Sequence, residues 1–227
     1  MAGLGRKIFT AGDVLTASDT MNFLMDQTVM NFAGTAARSS AIATPTDGMV
    51  TYNQTNNSLE AYNGSEWINT SGLQLIKKQT ILSAVSSVVV TGAFSATYDS
   101  YKIIISGGAC SATPNLALKL GASATGYLNS LFLITYSTAA TGASAEAAGT
   151  AITWAGTGST NSINMNLDLT NPFLAKVTPY FGQFQGSSQA GYTSGIHNVA
   201  TSYTDFTITP STGTLTGGTI YVYGYGV

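Results

Sequence analysis

Few side chains in this chain could perform nucleophilic or acid–base chemistry. Among its 227 residues there is one histidine, His197, and there are ten acidic residues. A serine nucleophile needs a histidine base beside it, and the sequence around His197, Gly-Ile-His-Asn-Val, contains no serine elbow. We therefore predict that His197 is a loop or surface residue without a catalytic role.

Glycoside hydrolysis requires two carboxyl groups that face each other across the sugar. The β-rich part of the chain offers Asp99, Glu146, Asp168 and Asp205 for this role. Asp99 lies in a predicted turn, Glu146 lies in a segment of small residues, and Asp168 is on the polar face of an alternating strand. The sequence pairs no two of them, so we predict no enzymatic activity and keep a polysaccharide depolymerase as an alternative.

Sites for metals, cofactors and nucleic acids are not indicated either. The single cysteine, Cys110, rules out an intramolecular disulfide, and one cysteine with one histidine cannot form a zinc cluster. Eight basic residues and a net charge of −2 offer too little positive charge for a phosphate backbone. No apolar run reaches the roughly 18 to 20 residues of a membrane span. We expect no cofactor, no metal, no nucleic acid and no membrane insertion.

The composition predicts a folded protein with a polar but nearly uncharged surface. Charged residues make up 8% of the chain, against roughly 25% in ordinary globular proteins. Serine and threonine together number 57, and 44% of the residues are hydrophobic. So much apolar surface must be buried, which favours a β-rich and oligomeric protein over a disordered one.

An amphipathic helix is predicted over about residues 18–32. Its apolar side would be suited to oligomerisation or anchoring, and the members of this stripe are Met21, Leu24, Met25, Val29 and Phe32. The stripe would pack on its own domain, in a multi-chain bundle or on a larger particle. Residues 33–46, which are small and polar and include Pro45, are predicted to form an extended connector.

A β-hairpin is predicted at about residues 48–68, with strands at 49–53 and 59–62 and an Asn-rich turn between them. A hairpin of this size cannot bury enough apolar surface to be stable alone. Tyr52, Tyr62 and Trp67 therefore need a partner, which we expect to be another chain. We place a domain boundary after this segment, giving an N-terminal part of residues 1–72 and a C-terminal part of residues 73–227, with a junction at residues 69–78.

The C-terminal part is predicted to be an antiparallel β-sandwich. Strict alternation of apolar and polar residues in Ile163–Leu169, 206–209 and 220–225 indicates strands with one buried face. Ten short strands separated by turn residues favour a jelly-roll or related Greek-key fold. The strands are predicted at 79–82, 87–90, 101–106, 116–120, 130–136, 151–154, 162–169, 180–185, 204–209 and 218–225. The fold class is thus mainly β, with an N-terminal helix and hairpin.

Two further features of the C-terminal part concern its surface. Residues 138–150, rich in alanine and glycine, are predicted to form an exposed loop. Aromatic side chains could stack on sugars, although most would lie in the core. These aromatic residues are Tyr98, Tyr101, Tyr127, Tyr136, Trp154, Tyr180, Tyr192 and Tyr203.

Several motifs resemble those of small tail-fibre or minor tail proteins of tailed bacteriophages. In the N-terminal part these are Arg6-Lys-Ile-Phe-Thr-Ala-Gly-Asp-Val-Leu-Thr-Ala-Ser-Asp19, Leu24-Met-Asp-Gln27, and Gly48-Met-Val-Thr-Tyr with Leu59-Glu-Ala-Tyr-Asn-Gly-Ser-Glu-Trp67. Residues 94–103, 171–176 and 218–224 are similar to C-terminal domains of such proteins. The match covers roughly the first 70 residues most closely.

The resemblance implies a virion protein that is assembled in the host cytoplasm. Its N-terminal part would attach to other tail or baseplate proteins, and its β-sandwich would face the host, usually as a homotrimer. The expected partner outside the virion is a host-surface glycan or protein. A purely architectural head-decoration or baseplate protein remains an alternative.

Overall fold

The computed structural model describes residues 10, 12–20, 29–70 and 72–225. The chain divides into two compact units, Met1–Gly72 with Gly226–Val227, and Leu73–Tyr225. The helices of the described residues are α1 (Ala17–Asp19) and α2 (Thr35–Ala41). The strands of the first unit are β1 (Met30–Phe32), β2 (Val50–Asn53), β3 (Ser58–Tyr62) and β4 (Trp67–Asn69).

The second unit consists of strands and their connections. The strands are β5 (Leu73–Thr80), β6 (Val88–Val90), β7 (Ser100–Ser106), β8 (Ala109–Cys110), β9 (Asn115–Leu120), β10 (Tyr127–Thr135), β11 (Thr141–Gly149), β12 (Ile152–Ser159), β13 (Ser162–Thr170), β14 (Thr178–Gln185), β15 (Gln189–His197), β16 (Phe206–Pro210), β17 (Leu215–Thr216) and β18 (Thr219–Tyr225). All their pairings are antiparallel. The predicted mainly β, antiparallel class is confirmed.

The prediction that a helix over residues 18–32 continues to Phe32 is wrong. Met30–Phe32 is a strand, β1, which pairs in parallel with β2. The amide of Gln54 donates to the Phe32 carbonyl at 2.9 Å, so an edge of β2 supplies the hydrogen bonds that a helix would have made internally. Met30 and Phe32 are half-buried and Asn31 is exposed, which is the two-residue period of a strand. Positions 21–28 of the predicted helix lie outside the described residues.

The predicted extended connector over 33–46 is also wrong, because it contains the helix α2. Alanine is the best helix former, and three of the seven residues of α2 are alanine. The single charged side chain of α2, Arg38, is buried and is held by the neighbouring sheet. A tertiary contact of a charged side chain therefore stabilises a helix that is too short to be stable alone.

Arg38 belongs to a buried polar network in the first unit. Its Nη1 donates to Glu60 Oε2, and the two side chains are 6% and 8% exposed. Asn53 Nδ2 and Asn56 Nδ2 donate to Glu60 Oε1 at 3.1 and 3.2 Å. The Arg38 guanidinium lies 4.6 Å from the centre of the Trp67 ring, and its burial lowers the pKa of Arg38. The network joins α2, the turn between β2 and β3, and β4.

The sheet of the second unit forks at β13. One edge of β13 pairs with β7 over residues 165–170. On the other edge, Ser162–Met165 pairs with β12, whereas Asn166–Leu169 pairs with β14. One branch continues as β12-β9-β16-β6 and the other as β14-β15-β10-β11, while β7 leads to β18 and β5. Because two strands share one edge of β13, they must diverge.

The buried apolar side chains of both branches belong to one core. Strands β7, β9, β13 and β18 each alternate strictly between buried and more exposed positions. The largest fully buried side chains are Tyr101, Tyr127, Phe206, Ile81, Ile103, Leu116, Leu118, Leu120, Ile152, Met165, Leu167 and Leu169. Since one face of each strand is used in this way, the opposite face is left for other contacts.

Two segments predicted as irregular are strands. Residues 141–149, within the predicted 138–150 loop, form β11, an edge strand paired with β10 from Thr141↔Ile134 to Gly149↔Tyr127. A run of alanine, glycine and serine shows no alternation of apolar and polar residues. The backbone of these residues nevertheless forms hydrogen bonds as readily as that of any other residue. Residues 73–78 of the predicted junction and residues 79–80 of the strand predicted at 79–82 together form β5 (Leu73–Thr80), which pairs with β18.

Glycine at position 195 of β15 makes room for a buried hydroxyl. The Tyr180 hydroxyl has two acceptors within hydrogen-bond distance, the Leu128 carbonyl oxygen at 3.0 Å and Asn129 Oδ1, which share its single proton. A Cβ at Gly195 would overlap both the Leu128 carbonyl oxygen and the Tyr180 hydroxyl. Burial raises the pKa of Tyr180, so this side chain remains a donor at physiological pH.

We expect Arg38→Met to lower the free energy of unfolding of the first unit by about 3–5 kcal/mol, because Glu60 would be left as a buried, uncompensated charge. Urea denaturation followed by Trp67 fluorescence in a Trp154→Phe background measures this. The double variant Arg38→Met, Glu60→Leu removes both charges and should regain much of the loss. Equal midpoints for the single and double variants would contradict the buried pair.

Gly195→Ala should lower the free energy of unfolding of the second unit by about 2 kcal/mol or more, because β15 must shift and the Tyr180 hydroxyl loses its partners. The matched control is Gly186→Ala in the same unit, since a Cβ there would have its nearest heavy atoms at 3.5 Å, an ordinary contact distance. Urea denaturation curves of both variants give the comparison. Equal stability of the two alanine variants would contradict the close contact of Gly195 with the Leu128 carbonyl oxygen and the Tyr180 hydroxyl.

Candidate functional site

Three aromatic rings lie side by side on the outer face of the second unit. Phe132 of β10, Tyr192 of β15 and Phe181 of β14 are 47%, 45% and 46% exposed. The ring centres are 5.3 Å apart for Phe132 and Tyr192, which are stacked, and 6.0 Å apart for Tyr192 and Phe181. We call these three rings the aromatic strip. Exposed, contiguous aromatic surface of this kind is typical of binding sites.

A groove of about 460 Å³ follows the aromatic strip. Besides the three rings it is lined by Leu133, Ile134, Gln183, Gln185, Ala190 and Gly191. Glutamine amides offer both donors and acceptors next to the apolar ring faces. A groove with apolar walls and a few polar groups is the usual form of a ligand site.

A smaller pocket of about 140 Å³ adjoins the groove, since Phe181 and Gln183 line both. Its other lining residues are Lys102, Asn166, Asp168 and Gly182. We call it the Asn166 pocket. Asn166 Oδ1 is buried and has no hydrogen-bond partner among the described residues. An acceptor in that state carries a desolvation penalty that an O–H or N–H donor would relieve.

The two charges of the Asn166 pocket compensate each other. Lys102 Nζ lies 3.0 and 3.3 Å from the two carboxylate oxygens of Asp168. The Tyr225 hydroxyl also donates to Asp168. Burial, and then the contact with Asp168, raises the pKa of Tyr225 to about 12, so its proton stays in place at neutral pH. The pocket therefore presents polar groups without net charge.

Strand register brings these residues together from distant parts of the chain. Phe132 lies opposite Tyr192, and Tyr192 lies opposite Gln183. Asp168 lies opposite Phe181 on one side and Lys102 on the other. The site thus crosses five neighbouring strands, β10, β15, β14, β13 and β7, about 19 Å at the usual spacing of about 4.8 Å.

The aromatic residues singled out from the sequence differ in their burial. Tyr192 lies in the aromatic strip, and Tyr136 is 55% exposed at the end of β10. Tyr98 and Trp154 are half-buried. The core contains Tyr101, Tyr127, Tyr180 and Tyr203. Sequence reasoning missed Phe132 and Phe181, because the unbroken apolar run 131–134 does not indicate which face of β10 is exposed.

The residues predicted for oligomerisation or anchoring are only partly within the described structure. Met21, Leu24 and Met25 lie outside the described residues. Val29 is 57% exposed. The remaining members, which are half-buried, are Phe32, Tyr52, Tyr62 and Trp67. The ring centres of Tyr62 and Trp67 lie 5.4 Å apart.

His197 is buried, and its prediction as a loop or surface residue is wrong. It ends β15 at 0% exposure and stacks on the Tyr127 ring at 4.2 Å. The Gly126 carbonyl, 3.3 Å from Nδ1, can only accept, so Nδ1 carries the proton and Nε2 accepts from the Tyr203 hydroxyl at 2.7 Å. Burial lowers the pKa of His197, against a smaller raising effect of the Gly126 carbonyl. The imidazole is a core group with both nitrogens engaged.

Two of the acidic residues considered for glycoside hydrolysis, Glu146 and Asp168, are engaged separately. Glu146 Oε2 accepts from Asn129 Nδ2 and from the Thr153 hydroxyl, both at 2.7 Å. Asp168 is paired with Lys102. Four strand spacings, about 19 Å along the sheet, lie between β11 and β13, whereas the two acids of a glycosidase stand about 5–9.5 Å apart.

Within the described ranges, no group of three or more His, Cys, Asp or Glu side chains is arranged to hold a metal ion. The helices in that part of the chain are too short to span a membrane. No family model, curated protein or solved structure matches this chain.

His197 makes the stability of the second unit sensitive to mild acid. Its pKa is below 6.5 in the folded protein and ordinary in the unfolded chain, so only the unfolded chain takes up the proton just below pH 6.5. The free energy of unfolding is therefore fully present above pH 6.5 and falls as the pH is lowered from there toward the folded pKa. Urea denaturation at pH 7.5 and 5.5 measures the loss.

The matched control is His197→Gln, which keeps a side chain able to accept from Tyr203 but does not titrate. Because the chain has one histidine, the difference between the two proteins isolates this group. We expect a smaller loss of stability at pH 5.5 in the variant. The same loss in both proteins would mean that His197 protonates equally well in the folded state.

Proposed function

We propose that the chain is a structural protein of a tailed-bacteriophage virion, a tail fibre or a related tail appendage. Its N-terminal part attaches to the virion and trimerises, and its C-terminal part is a jelly-roll-like β-sandwich that binds the host surface. The N-terminal motifs quoted above support the virion assignment by resemblance. The forked antiparallel sheet with one shared core supports the sandwich.

The observation that carries the attachment function is the aromatic strip with its groove. Three large rings, each close to half exposed, are costly to leave in water unless a partner covers them. They stand on the central strands of a rigid sheet, where hydrogen bonds on both sides fix their positions. Rigid aromatic side chains lose little entropy on binding, which suits a recognition surface.

The first unit supports an anchoring role in a different way. Its sheet has four strands of three to five residues, and a sheet this small buries little apolar surface of its own. Val29 is exposed, and Phe32, Tyr62 and Trp67 keep part of their apolar surface accessible. Contacts with other copies and with virion proteins would cover these side chains.

The test is binding of the fluorescently labelled full-length chain to a panel of intact bacterial cells. We expect the chain to label at least one strain, and the double variant Phe132→Ala, Tyr192→Ala to lose at least about tenfold in apparent affinity, equivalent to about 1.4 kcal/mol. Light scattering on the same samples should give three times the 23.4 kDa of one chain.

The matched control is Tyr221→Ala, because Tyr221 is a partly exposed aromatic residue of the same unit that lines neither concavity. This variant should label cells as the native chain does. A folded oligomer that labels no strain would favour the architectural alternative of a head-decoration or baseplate protein. Release of sugars from the labelled cells would favour the depolymerase.

A further inference from the structure

We propose that the Asn166 pocket and the adjoining groove bind an uncharged saccharide chain, with part of one sugar ring inserted beside Asn166 and the following sugars stacked along the aromatic strip. This inference rests on the proposed attachment function and names its ligand class. Four features of the site lead to it.

The first feature is the buried Asn166 Oδ1, which has no partner among the described residues. A native protein seldom keeps such an atom unless water or a ligand satisfies it. The Asn166 pocket, about 140 Å³, has the volume of four to five waters at about 30 Å³ each, which is room for part of a sugar ring. Asn166 and Lys102 both line this pocket, and a sugar hydroxyl can donate to an amide oxygen or accept from an ammonium group.

The second feature is the mixture of ring faces and amides. A sugar ring has an apolar C–H face and a rim of hydroxyls, each both donor and acceptor. Phe181 offers a flat apolar surface to the first, and Gln183 and Gln185 offer donors and acceptors to the second. A protein partner would favour a larger apolar centre with a polar rim, rather than amides placed between the rings.

The third feature is charge. Lys102 and Asp168 neutralise each other at 3.0 Å, and the remaining lining residues of the pocket are uncharged. An anionic ligand would have to compete with Asp168 for the ammonium group, and a cationic ligand would have to compete with Lys102. A neutral hydroxyl needs neither exchange, so the site favours an uncharged ligand.

The fourth feature is shape. The Asn166 pocket adjoins the groove of about 460 Å³, since Phe181 and Gln183 line both. A small pocket beside a larger groove suits a chain that places one unit in the pocket and the following units in the groove. A single small molecule would leave most of the aromatic strip uncovered.

The experiment uses the full-length chain and the cells that it labels. Periodate, which cleaves carbon–carbon bonds between neighbouring hydroxyls of sugars, should abolish labelling of treated cells, whereas protease treatment should not. Labelling in 1 M NaCl should match that at low salt, because screening weakens contacts between charges. A tenfold loss in 1 M NaCl would overturn the uncharged ligand, and labelling that is lost only after protease would overturn the saccharide.

Two variants connect the ligand to this site. Phe181→Ala should weaken labelling about 10- to 30-fold, since about 80 Å² of apolar ring surface is no longer covered. Asn166→Leu should weaken labelling at least tenfold while the melting temperature stays the same or rises, because the substitution removes an unsatisfied buried atom. A purely structural Asn166 would instead lower the melting temperature and leave the labelling of folded protein unchanged.

The remaining outcomes separate the two proposals. A chain that labels no cells fails as an attachment protein, and the saccharide site falls with it. A chain whose labelling survives periodate, or survives both variants, keeps the attachment function but loses the saccharide site. A change in oligomer mass on Phe181→Ala would show that a second copy of this chain occupies the groove, and this too would overturn the site.

Discussion

The hydrogen-bonding capacity of β13 is the constraint on which the second unit depends. A strand has two edges, and each backbone group on an edge can be satisfied by one neighbour. β13 uses one edge for β7 and divides the other between β12 and β14 at Met165 and Asn166. Gly156 permits the approach of β12, since a Cβ there would lie 2.5 Å from the Asn164 carbonyl oxygen. Beyond this point the branches separate and enclose one core.

The same division accounts for the position of the candidate site. Inward-facing residues of β13, such as Leu167 and Leu169, are fully buried, so the alternate positions Asn166 and Asp168 face outward. Asn166 is the first residue that pairs with β14, and it lies where one neighbouring strand replaces the other. A polar side chain at such a junction has fewer fixed neighbours than one in a continuous sheet. The side-chain oxygen Oδ1 of Asn166 can for this reason be buried and still lack a partner.

A strand can be predicted from the sequence where its side chains alternate between apolar and polar, and it is missed where they do not. In β13, β16 and β18 each second residue is apolar, and these strands are found within one or two residues. In β11 the residues are small, and in β15 small residues separate the larger side chains, so neither strand shows an apolar alternation although both pair with β10. The strand at Met30–Phe32 and the helix α2 depend on contacts with residues 20 or more positions away, which a local pattern cannot contain. The candidate site is less predictable still, because Phe132 and Tyr192 are neighbours only through long-range pairing.

The scarcity of charge limits how this chain could attract a partner under the proposed attachment function. With 8% charged residues, the chain has little long-range electrostatic attraction to offer a partner. Affinity must then come from surface contact, and one groove with three half-exposed rings supplies only a modest amount of it. Several copies in one appendage would convert weak single contacts into strong combined binding, because each bound copy raises the effective concentration of the next. Under the proposed function, the two units therefore depend on each other. The partly accessible apolar side chains of the first unit hold several copies together. The aromatic strip of the second unit is a weak, uncharged site that binds strongly only when several copies are assembled.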